Sequence, residues 1–187
     1  PIGKQDQYGA ALGGLNFIKF NQDGSVSHEP ILMEGKTYKK LQKNLLMFYT
    51  GTTRSANTIL AEQTKNITSD KARNLLKMCG LAKDMKVALE NNDISSFGKI
   101  LDEGWQLKKE LASGIANPAI DEAYEIAMKN GALGGKLLGA GGGGFLLFYC
   151  EEEKQEQLKK AIGLRELDFS FERDGTSVIY IGDKYWN

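Results

Sequence analysis

At 187 residues with 41% hydrophobic side chains, the chain is long enough to bury one core, with room for part of a second domain. Its 24 Lys and Arg balance 24 Asp and Glu, and zero net charge argues against a nucleic-acid partner held by broad attraction. No apolar stretch reaches membrane-spanning length and no signal peptide is visible, so neither a membrane partner nor export is expected.

Gln5 to Leu12 reads as a short helix stopped by Gly13-Gly14. Leu15–Phe20 and Val26–Met33 read as strands around Asn21-Gln-Asp-Gly24, a hairpin-type turn. Leu45–Tyr49 is a short apolar run with the character of a buried strand, and Ser55–Thr64 a modest helical pattern. Ser69–Asn91 carries Ala72, Leu75, Leu76, Cys79, Ala82, Met85 and Leu89 at helical spacing behind a Thr68/Ser69 cap. Asp93 suits the cap of the next helix, whose stripe runs through Ile94, Phe97, Leu101, Trp105, Lys108 and Leu111; Trp105 reads as core, and Lys108 and Lys109 as extending into solvent. Asn117-Pro118 opens a third helix that Gly131 stops.

Gly131 to Gly144 holds eight of the chain's 22 glycines and separates that helix from the apolar run Phe145–Cys150, an expected strand. A charged amphipathic helix, Glu152–Ile162, follows, and a hairpin of Phe169–Arg173 and Thr176–Ile181 is expected around Asp174-Gly175. Cys79 and Cys150 lack CxxC spacing and read as small core residues in a reducing cytoplasm. Strands alternating with helix pairs indicate an α+β fold with a largely antiparallel sheet packed against helices.

The chemistry concentrates in two places. The glycine run lacks the Lys-Ser/Thr ending of a Walker loop and stands in the order helix, loop, strand, unlike a dinucleotide fingerprint. Its residues alone suit either a cradle of backbone N–H groups for phosphate or a tight helix–strand packing turn. Lys136 inside it reads equally as a countercharge to phosphate or as a solvated side chain. The second place is Gly3-Lys-Gln-Asp-Gln-Tyr8, where Asp6 is either a helix-start acid or the centre of a polar cluster with Lys4, Gln5 and Gln7. His28, the single histidine, has no candidate partner for catalysis or metal binding.

Gly3-Lys-Gln-Asp-Gln-Tyr8, Tyr49-Thr-Gly-Thr-Thr-Arg-Ser-Ala56, Asn117-Pro-Ala-Ile-Asp121 and Gly134-Gly-Lys-Leu-Leu-Gly-Ala-Gly-Gly-Gly-Gly144 occur in that order. Together they resemble the C-terminal part of GHMP-type small-molecule kinases, most of all the bacterial branch acting on D-glycero-D-manno-heptose 7-phosphate. The resemblance spans essentially the whole chain. It implies a ferredoxin-like C-terminal kinase domain over residues 36–187, preceded by the tail of the N-terminal domain in 1–35. It implies Asp6 as the base that orients and deprotonates the anomeric hydroxyl, with Lys4, Gln5, Gln7, Thr53 and Arg54 around the sugar phosphate. Gly139, Ala140, Gly141, Gly142 and Gly143 would flank the nucleotide phosphates.

ATP and Mg²⁺ are the implied cofactors. The Pro-x-x-x-Gly-Leu-Gly-Ser-Ser-like phosphate loop of the family is missing from the sequence, so most nucleotide contacts and the Mg²⁺ ligands are expected outside it. Residues 1–187 alone are accordingly expected to be inactive. The implied product is a 1,7-bisphosphate for activated-heptose synthesis, a lipopolysaccharide or capsule precursor, made in the cytoplasm; a homodimer is left open. A fucose- or galactose-type kinase of the same superfamily is the alternative, and a non-catalytic ligand-binding module with this scaffold is another.

Overall fold

The computed structural model describes residues 3–52, 59, 61, 68–180 and 182. The chain divides into two compact units, Leu32–Phe169 and, separately, Gly3–Ile31 with Ser170–Asn187. Among the described residues no helix is long and apolar enough to cross a membrane.

In the larger unit the described elements run α2 (Gly35–Lys43), β3 (Leu45–Tyr49), α3 (Ser69–Glu90), α4 (Ser95–Lys109), α5 (Pro118–Lys129), β4 (Ala132–Leu137), β5 (Phe145–Cys150), α6 (Glu152–Ile162) and β6 (Arg165–Glu166). The sheet order is β4-β5-β3-β6, with every neighbouring pair antiparallel. Strand, helices, two strands, helix, strand in that order is the split β-α-β arrangement. The apolar runs dictate it: Leu45, Leu46 and Phe48 of β3, and Leu146, Phe148, Tyr149 and Cys150 of β5, are all buried. Phe148 stacks on Tyr124 of α5 at 5.4 Å, and Tyr124 on Trp105 of α4 at 6.0 Å, so aromatic contacts tie the sheet to the helices.

Helix starts follow their caps. Thr68 Oγ1 accepts from Lys71 N, and Asn117 Oδ1 accepts from Ile120 N at 3.0 Å with Pro118 in the first turn. Asp93 Oδ1 accepts from the backbone N–H of Ser95 and of Ser96, 3.1 and 3.2 Å away, securing the start of α4. Serine hydroxyl and amide donors hold the Asp93 carboxyl down at about 2.

Three expectations for this unit need correction, and α2 is a helix that the sequence pattern does not announce. The glycine run is not one loop: Ala132–Leu137 is strand β4, paired along β5. Helix α2 carries no apolar stripe in sequence, because only Thr37 and Leu41 face inward. The stripe on α3 is mostly not core; Leu89 is its one buried residue, while Leu76 is 72% exposed. The helix packs chiefly against α4, which leaves its far flank, Cys79 included, on the surface. Cys150 does lie in the core, where burial pushes its thiol up to about 11.

The smaller unit comprises α1 (Gln5–Leu12) and the hairpin of β1 (Asn16–Phe20) and β2 (Val26–Pro30), registered from Asn16↔Pro30 to Phe20↔Val26. Asp23 Oδ1 closes the turn by accepting from Ser25 N at 2.9 Å, and Tyr8 meets Phe20 edge to face at 5.6 Å. The second expected hairpin is absent: the described residues of Phe169–Arg173 and Thr176–Ile181 contain no strand. Gly175 does turn the chain, at φ +60°. However, its flanks bond to the end of α1, Glu172 O accepting from Gly14 N at 2.6 Å and Thr176 Oγ1 donating to Ala10 O at 3.1 Å. Among the described residues, no buried hydrophobic side chain belongs to this unit.

Candidate functional site

Residues 138–144 connect β4 to β5. Leu138 N donates to Phe145 O at 2.8 Å, closing the base of the loop. The far side is pinned from three directions. Thr50, just past β3, donates its N–H to Gly144 O at 2.9 Å, while its hydroxyl accepts from Gly144 N at 3.0 Å. Gly142 N donates to Ile115 O at 2.9 Å, in the connection between α4 and α5. Lys108, in the last turn of α4, donates Nζ to Gly139 O at 2.6 Å.

What these anchors leave open decides what the loop can do. The N–H groups of Gly139, Ala140, Gly141 and Gly143 have no hydrogen-bond partner among the described residues. Gly139 at φ +79° and Gly141 at φ +119° adopt backbone that side chains disfavour, and such turns gather successive N–H groups into an anion-binding concavity. The donor set therefore fits a phosphate group. Gly142 differs from its neighbours, since Ile115 already takes its N–H. Among the described residues no three His, Cys, Asp or Glu gather to hold a metal ion.

Lys108 and Lys109 do not simply extend into solvent. Lys108 holds the loop, and Lys109 Nζ pairs with Asp121 Oδ1 at 3.1 Å with Trp105 at 6.0 Å from the ammonium. Lys136 is half-buried, and burial lowers its pKa. Trp105 is core, at 1% exposure. Tyr124 sends its hydroxyl to Asp102 Oδ1 at 2.8 Å and accepts from Gly135 N at 3.1 Å, fixing α4, α5 and β4 to one another. Burial and the Asp102 carboxylate hold that phenol far above its usual range.

In the smaller unit, Lys4, Gln5, Asp6 and Gln7 crowd the start of α1, all exposed. Asp6 is not a cap; it lies in the first turn, and no side chain caps this helix. Lys4 and Gln5 border a shallow cleft of about 230 Å³ with Phe20, Asn21, Gly24 and Ser25. The amide nitrogen of Gln7, oriented to satisfy its surroundings, donates to Gly3 O at 2.9 Å and Lys4 O at 3.1 Å. Thr53 and Arg54 lie outside the described residues. The larger unit thus brings together the glycine loop with Thr50, Lys108 and Ile115, while the α1 cluster belongs to the smaller unit.

Residues 85–166, which run from α3 through the glycine loop to β6, match the family model for the GHMP kinases C terminal region. Residues 85–166 are thus a GHMP kinase C-terminal domain. The GHMP domain and its flanks are 33% identical over 179 residues to a D-glycero-alpha-D-manno-heptose 7-phosphate kinase of Campylobacter jejuni, covering 92% of this chain and 52% of that protein. An L-fucokinase/L-fucose-1-P guanylyltransferase of Bacteroides fragilis is 35% identical over 147 residues, 74% of this chain and 15% of that protein. The crystal structure of a D-glycero-D-manno-heptose 1-phosphate kinase from Bacteroides thetaiotaomicron superposes with a TM-score of 0.62 at 29% identity, over 94% of this chain and 48% of that one. The chain spans about half the length of the two heptose kinases.

Proposed function

We propose that the chain is the C-terminal part of a sugar kinase that moves the γ-phosphoryl group of ATP onto the anomeric hydroxyl of a heptose 7-phosphate. The observation that carries the reading is the set of four N–H groups, unbonded among the described residues, on a loop pinned by Thr50, Ile115 and Lys108. Similarity to a heptose 7-phosphate kinase supports the substrate. The division of 1–35 from 36–187 is kept as the boundary between N-terminal tail and C-terminal domain.

In this reading the Asp6 carboxylate accepts the proton of the anomeric hydroxyl as the oxygen attacks the γ-phosphorus. The bond to the β-phosphate oxygen breaks and ADP leaves. Gly139, Ala140, Gly141 and Gly143 donate to phosphate oxygens, whereas Gly142 serves the loop's own shape. Mg²⁺, when bound, would neutralise phosphate charge, and no cluster of ligands for it lies among the described residues. Lys4, Gln5, Gln7, Thr53 and Arg54 orient the sugar phosphate. Residues 1–187 on their own would then show negligible turnover.

The test compares ATP consumption by the intact kinase with heptose 7-phosphate, free heptose, fucose and galactose. A clear preference for heptose 7-phosphate is expected, and equal or better use of fucose would replace this reading with a fucokinase, as the fucokinase similarity favours. Asp6→Asn in the intact protein should lower kcat by about 10²-fold or more with ATP affinity retained. Unchanged kcat would remove Asp6 from the base role.

A further inference from the structure

Between α3 and α4, over β4, lies a cavity of about 220 Å³ that the kinase reading does not use. Its walls are largely aliphatic, with Leu81 and Met85 from α3 and Ile100 and Leu101 from α4. Three polar groups interrupt them, and two of these have no partner among the described residues. Trp105 lines the cavity, and its indole Nε1–H is buried without a hydrogen-bond partner. Lys136 lines it too, and its ammonium makes no hydrogen bond or ion pair among the described residues. The carboxylate of Asp102, nearby on α4, is engaged by Tyr124 and Gln106 at 2.8 and 2.9 Å. Lys108, also on the cavity wall, is committed to Gly139 O.

An unanswered N–H and an unanswered ammonium beside aliphatic carbon each carry a desolvation penalty that one anionic oxygen group would relieve. Both are donors, so the complementary group is an acceptor, and the positive charge selects an anion over a neutral polar group. The cavity is smaller than the range of drug-sized sites, which limits the ligand to about ten heavy atoms. We propose that this cavity is a binding site for a small amphiphilic anion, with an aliphatic body against Leu81, Met85, Ile100 and Leu101 and a single carboxylate or phosphate head at Lys136 and Trp105.

Sodium octanoate and its uncharged match, 1-octanol, test this by calorimetric titration of the protein. A Trp186→Phe background leaves Trp105 as the single tryptophan, since the chain has two. Octanoate should bind saturably, shift the Trp105 emission, and bind at least tenfold more tightly than octanol. Lys136→Met keeps the aliphatic stem and should abolish that preference while leaving octanol binding unchanged; Lys136→Arg should retain it. Octyl phosphate, run in parallel, tells whether the head group is better met by carboxylate or phosphate. Equal binding of octanoate and octanol, octanoate affinity unaltered by Lys136→Met, or binding without a change at Trp105 would each overturn the proposal.

Discussion

The two halves of the glycine run use the same residue for opposite reasons. In the first half, Gly134 lies where β4 and α4 touch backbone to backbone: a Cβ there would collide with the Gly98 carbonyl oxygen and come within 3.0 Å of Asp102 N. In the second half, at Gly139, a Cβ would meet nothing within 4 Å, and what matters is a φ of +79°. One glycine is needed for space and the other for conformation. The N–H groups left unbonded among the described residues all fall within residues 139–143, so the donor segment is shorter than the run of glycines suggests.

This contrast can be broken experimentally, beginning with its largest effect. Gly134→Ala should destabilise the protein by about 3 kcal/mol or more in urea unfolding, because backbone on both sides must move. A loss under about 1 kcal/mol would mean that α4 shifts freely and the packing half is not packed. Gly141→Ala combines both problems, at φ +119° with Ile115 Cα 2.8 Å from the new methyl, and should cost about 2 kcal/mol. Gly139→Ala meets strain alone, so about 1 kcal/mol is expected, and under the proposed kinase function a larger proportional loss in ATP affinity of the intact protein. If Gly139→Ala were the more damaging to folding and Gly134→Ala to nucleotide binding, the division would be reversed.

The smallest effect is one of pH. Cys150 pairs with Ala132 across β4 and β5, and burial raises its thiol from an ordinary 9.0 to about 11. The unfolded chain therefore loses this proton first. The stability that the neutral thiol contributes is complete below about pH 9 and is lost as pH rises toward about 11. Cys150→Ala should flatten the decline in Tm over that window, and an identical slope in both proteins would show that the thiol does not sense the strand half.

How much the sequence disclosed depended on whether the deciding contacts were local. Strands β3 and β5 were legible because unbroken apolar runs need burial on both faces, and α5 because Asn117, Pro118 and Gly131 mark its ends. Strand β4 was not: Ala-Leu-Gly-Gly-Lys-Leu has weak strand propensity, and its extended form comes from pairing with β5 and from Tyr124 and Gly98 on distant helices. The expected hairpin after Phe169 failed because α1 offered its residues better partners than they offered each other. In the candidate site the glycines announced themselves. Lys108 and Ile115 did not, since they reach the loop over 31 and 27 residues of sequence and carry no local signature; Thr50 stands in the Tyr49–Ala56 motif, but its bond to Gly144 spans 94 residues.

The Tyr124 hydroxyl has a consequence for solubility. Strand β4 forms the outer margin of its sheet, where outward N–H groups invite a strand from a second molecule. At Gly135 that donor is occupied by the hydroxyl, which a phenylalanine lacks. A single phenolic oxygen thus acts as a stopper on a self-association edge, and Tyr124→Phe should betray its loss as faster aggregation in concentrated solution.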